Sequence, residues 1–113
     1  MNTKDLDLAV VEQAIQRGLV AAKQAAAEMH KRVGERDACG FAYVTVFDVR
    51  SNSKLGKLLA NYNFRKAYNG GLQLWDPSQH PTQSVSVLEA GASAMADELA
   101  SVGLTAYAGS RLD

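Results

Sequence analysis

Leu8, Val11, Ile15, Leu19, Ala22, Ala26, Met29 and Val33 recur at gaps of three and four, a stripe that only a helix can bury along one side. The spacing predicts a single helix over 4–33. Thr3 stands where a cap is needed, Asp5 and Asp7 suit the positive end of the dipole, and Lys31 and Arg32 suit the other. Gly34 is a natural residue just past the end. Gly18 weakens the helix by about 1 kcal/mol against alanine and marks a site for a bend. The second half, rich in alanine from Ala21 to Ala27, can approach another surface closely.

Beyond residue 37 the period changes. Phe-Ala-Tyr-Val-Thr-Val-Phe at 41–47 is aromatic and β-branched, as a strand requires, and its two faces are both largely apolar. That predicts a central strand covered on both sides. Ser53 then caps a short helix carrying Leu55, Leu58, Leu59 and Tyr62 on one face. Residues 64–68 and 72–75 flank Asn69-Gly70-Gly71, a turn signal that makes them a hairpin. Both prolines fall in a loop at 76–83. Ser86 and Glu89 have capping-box spacing, opening a helix that buries Leu88, Ala92, Met95, Leu99 and Val102 before Gly103. A last strand is predicted at 104–108, followed by a polar tail at 109–113.

This order predicts an α+β chain, one domain over 1–113. A long N-terminal helix (1–36) precedes a ferredoxin-like βαββαβ antiparallel sheet (37–113). A three-stranded sheet with 64–68 as loop is the alternative. The two shorter helices should cover one sheet face, leaving Phe41, Tyr43, Phe47, Trp75 and Tyr107 on the other. Those aromatics would suit stacked bases. They would also suit a covering helix, and the alanine-rich half of the long helix is expected to lie across them, since an open apolar patch invites aggregation. About thirty helical residues span roughly 45 Å, against roughly 30 Å for a domain of about 80 residues. The helix is therefore expected to overhang, to bend near Gly18, or to pack on a partner. Leu8, Val11 and Ile15 are the expected contact with another chain, a homodimer included.

Chemistry is sparse. Lys plus Arg equals Asp plus Glu at 12 each, which removes long-range attraction to nucleic acid or anionic membrane. Gly40-Phe41-Ala42-Tyr43-Val44 resembles part of the RNA-recognition signature. However, Cys39 stands where that signature has a basic residue, and the segment falls on the first strand, so it reads as core. Arg50, Lys54, Lys57, Arg65 and Lys66 form a basic cluster, a solvated face or, alternatively, a nucleic-acid contact. His30 is expected on a solvated helix face. His80 lies in the loop with Asp76 and Ser78, and no spacing enforces a catalytic triad there. With one cysteine, Cys39, an internal disulfide and a thiolate-rich zinc site are excluded, and the residue is expected to pack. No metal or cofactor motif is present, and no enzyme is expected. A small active site around Asp76, His80 and Arg111 remains the second alternative. No run approaches a membrane span, the first residues lack the pattern of a secretory signal, and a reducing cytoplasm is the expected compartment.

Gly40-Phe41-Ala42, Gln73-Leu74-Trp75-Asp76-Pro77, Glu89-Ala90-Gly91-Ala92 and the run Tyr107-Ala108-Gly109-Ser110-Arg111-Leu112-Asp113 carry a resemblance. Over 39–113 the chain is similar to small uncharacterised proteins encoded by phages and prophages. The resemblance implies no activity, only a setting: the host cytoplasm, where such proteins bind and disable host machinery, CRISPR effectors among it. The leading expectation is thus a non-enzymatic protein-binding inhibitor that engages a host complex. Leu8, Val11, Ile15, Asp76, His80 and Arg111 are its candidate contacts. A nucleic-acid-binding domain is the alternative.

Overall fold

The computed structural model describes residues 6–34, 38–68 and 70–112. Three helices and four strands follow in the order α1 (Leu8–Val33), β1 (Gly40–Phe47), α2 (Lys54–Asn61), β2 (Arg65–Lys66), β3 (Leu72–Trp75), α3 (Val85–Ser101) and β4 (Thr105–Leu112). The protein is α+β: a long N-terminal helix, a four-stranded antiparallel sheet and two further helices. The strands lie in the order β2-β3-β1-β4, so β1 and β3 are central.

Local chemistry explains most boundaries. Asp7 caps α1, its carboxylate accepting from Ala9 N at 2.9 Å, rather than sitting inside the first turn. Thr3 and Asp5 lie outside the described residues. Gly34 closes the helix with φ 62°, its N–H donating to His30 O at 2.8 Å. Ser53 caps α2 by accepting from Gly56 N at 3.0 Å. The cap of α3 is Ser84, two positions before the serine of the expected capping box. The hairpin is present, with Gly70 and Gly71 at φ 104° and 78°, but its first strand is only two residues long.

Two expectations are corrected by where α1 lies. It does not cross the aromatic side of the sheet; it packs on α3, which itself packs on β1 and β4. The order is therefore sheet, α3, then α1, with α2 also touching α1. Small residues make the contact possible. A Cβ at Gly18 would stand 2.8 Å from Met95 Cγ, and one at Gly91 would stand 3.0 Å from Ala22 O. A helix face built from Gly18, Ala22 and Ala26 thus comes close to α3, and Gly18 serves close approach within a continuous helix.

The first half of α1 is also accounted for within the chain. Val11, Ala14 and Ile15 have no exposed surface, and Leu8 packs beside them. Burial of Val11 and Ile15 stabilises the fold by roughly 1.5–3 kcal/mol each. The same half is tied to the end of α2, where Tyr62 OH donates to Glu12 Oε2 at 2.7 Å and accepts from Gln16 Nε2 at 3.1 Å. Val11 and Ile15 are thus core residues, and the contact with another chain expected through those two is corrected; Leu8 packs against the core but is only partly buried. The 26-residue helix sets the long dimension of a molecule of 43 × 26 × 21 Å.

A third correction concerns β4. The expected polar tail is strand as far as Leu112, because Gly109, Ser110, Arg111 and Leu112 pair with Tyr43, Ala42, Phe41 and Gly40. Backbone pairing to a central strand overrides the poor strand propensity of glycine and serine.

Candidate functional site

Alternation along the strands divides the sheet. Ala42, Val44, Val46, Leu72, Leu74, Leu104 and Ala106 turn toward the helices and are buried. The odd positions of β1 and β4, with Gln73 and Trp75 of β3, turn the other way. No described helix covers them: Phe41 is 41% exposed, Trp75 44% and Tyr107 62%. The expectation that β1 is covered on both sides is therefore corrected. It is central by pairing and open on one face.

The open face has an internal arrangement. Trp75 stands directly across from Tyr43 with ring centres 4.9 Å apart, and Phe41 meets Trp75 at 6.1 Å with its ring tilted 71°. Phe47 and Tyr107 form a second group, centres 6.1 Å apart. Between the groups lies a polar bar in which Gln73 Nε2 donates to Thr45 Oγ1 at 2.9 Å. Thr45 is buried by its neighbours, whereas Gln73 is half-buried. Beside Tyr43 the partner strand offers Gly109, and the ring fills the missing side chain's place: a Cβ there would stand 2.6 Å from Tyr43 Cε2.

Two cations flank the aromatics. Arg111 stands across from Phe41 on β4 and is exposed. Arg65 stands across from Gln73 on β2, and its guanidinium donates to Phe64 O at 2.9 Å and Ala60 O at 3.2 Å. Asp and Glu are absent from the strand positions of this face. The expected basic cluster is divided: Arg65 belongs to the open face, Lys66 alternates to the other, and Arg50, Lys54 and Lys57 are exposed around the start of α2.

Asp76, His80 and Arg111 each have other surroundings. The Asp76 carboxylate accepts from Ala42 N at 3.3 Å and its N–H donates to Ala42 O at 2.8 Å, which seals the end of β3 against β1. Arg111 is on the opposite side of β1. His80 Nε2 lies 2.7 Å from His30 Nδ1, the two half-buried rings edge to face at 4.8 Å. His30 is therefore not on a solvated face. That bond needs at least one neutral ring, and it fastens the last turn of α1 to the loop before α3. No hydrogen bond joins any two of Asp76, His80 and Arg111, so the candidate catalytic grouping is not assembled.

Among the described residues, no three His, Cys, Asp or Glu side chains are grouped as a metal ion needs. Every buried side-chain polar atom there has a hydrogen-bond partner. Cys39 is exposed rather than packed, its thiol 3.5 Å from Gln83 Oε1. No described helix is long and apolar enough to cross a membrane.

The pairing of Arg111 with the aromatics was hidden from sequence reasoning, because residues 109–112 carry no strand signal of their own. The histidine pair was hidden too, its members being 50 residues apart. No protein-family model matches the chain, and no curated protein or solved structure is significantly similar to it.

Proposed function

We propose that the chain is a non-enzymatic binding module that meets its partner through the open face of the sheet. One observation carries this: all three helices stack on one side, leaving five aromatic side chains of the other uncovered by any described helix. A face of that composition costs solubility unless something occupies it. The frame is of the ferredoxin-like, split βαβ kind. The strand order β2-β3-β1-β4, with the first and third strands central, supports it.

Binding without catalysis is supported by the way the candidate catalytic groups are used, with Asp76 closing a strand end and His80 holding His30. The resemblance to phage-encoded proteins adds a setting, in which the partner belongs to host machinery such as a CRISPR effector complex and the site of action is the host cytoplasm. Affinity capture from a bacterial lysate tests the reading, comparing the natural chain with a Phe41→Ala/Tyr107→Ala variant of unchanged melting temperature. The variant is expected to lose what the natural chain retains. An unchanged set of captured species would place binding elsewhere.

A further inference from the structure

Resting on the reading that the open face is the binding surface, we infer that its ligand is a single-stranded nucleic acid. Bases would stack on Trp75, Tyr43 and Phe41 and on the Phe47–Tyr107 pair, with Arg111 at a phosphate.

Charge is the first ground. The chain is neutral overall, and its helices carry both signs. The strand positions of the open face carry Arg111 and Arg65 and no acid, while Asp48 and Asp76 follow β1 and β3 directly. Arg65 is held by the Ala60 and Phe64 carbonyls, which leaves Arg111, exposed and across from Phe41, as the cation beside the aromatics. This placement also argues against a second copy as occupant, since face-to-face pairing would set arginines against strand positions without carboxylates.

Geometry is the second. The rings are partly exposed, lie side by side on a rigid sheet, and form two groups rather than one pocket. Tyr43 and Phe47 are four residues apart on β1, roughly 13 Å. A mononucleotide can occupy one group, whereas a strand of several nucleotides occupies both. Stacking on aromatic rings tolerates any base, and backbone charge supplies what the face lacks. A duplex would not fit the same site, because its bases are already stacked on one another. Gln73, half-buried and bonded to Thr45, supplies a polar side chain between the two groups.

Trp75 is the only tryptophan of the chain, so its fluorescence reports on this face directly. The full chain is titrated at low salt with a short oligothymidine, with the same sequence as a duplex, and with polyphosphate of matched charge. Saturable quenching by the single strand, weaker with duplex and absent with polyphosphate, is expected. Phe41→Ala and Tyr107→Ala, checked for unchanged melting, should each weaken binding about ten-fold or more. Arg111→Gln should lower the salt slope by about one. Absence of quenching by the single strand overturns the inference, as does oligonucleotide binding that Phe41→Ala and Tyr107→Ala leave intact. If the single strand does not bind but the face variants still abolish retention of a protein partner, the nucleic-acid assignment fails and the binding-face reading stands. If the face variants change neither, both fail.

Discussion

The two faces of the sheet are built from the same four strands and obey different rules. On the helix side, Ala42, Val44 and Val46 of β1 have no exposed surface, and the side chains around them come from α1, α2, α3 and the other strands. On the open side the residues are larger, yet Phe41, Trp75 and Tyr107 keep much of their surface in water. Size and hydrophobicity do not decide burial here; the placement of the helices does. The smaller side chains hold the fold, and the larger ones are left free for something else.

This contrast can be broken by substitution. Leu99→Ala in α3, at a position without exposed surface, should destabilise the protein by about 2–5 kcal/mol in denaturant unfolding. Gly91→Val should cost about 1–3 kcal/mol, because the new side chain meets Ala22 O and Ser78 across two close contacts. Tyr107→Ala on the open face should change stability by no more than about 0.5 kcal/mol while weakening binding. A large stability loss there would mean that the aromatics belong to the core after all.

The smallest effect concerns pH. The hydrogen bond to Glu12 raises the Tyr62 pKa above 10.0, with desolvation and the Glu12 charge acting in the same direction and the bond from Gln16 opposing them. The folded state thus favours the neutral phenol. Its contribution is fully present below the unfolded value and is lost as pH rises through the higher folded one. Stability should fall on the alkaline side, and Tyr62→Phe should flatten that fall in unfolding curves measured across the alkaline range.

Much of the element order was legible because caps and turns are local: Ser53, Gly34 and the Gly70-Gly71 turn do what their types dictate. The division of the sheet into an aliphatic and an aromatic face was legible for the same reason, being a matter of alternation. The position of α1 was not. A stripe of small residues fits any surface that can come near, and the decision was made by Gly91 and Met95 on α3, about seventy residues away. Glycine inside a predicted helix is the signal that could have pointed there. The length of β4 was hidden because pairing with β1, rather than the propensity of Gly109 and Ser110, extends it. Arg111 as part of the face was hidden with it.

Gly109 has a further effect. By leaving an empty place beside Tyr43, it gives that ring somewhere to lie before any ligand arrives. The rotational freedom of the tyrosine is given up at folding instead of at binding, so association need not bear that loss again. A residue with no side chain thereby sets the readiness of its neighbour, and exchanging it for serine would be felt first in how quickly a partner lets go.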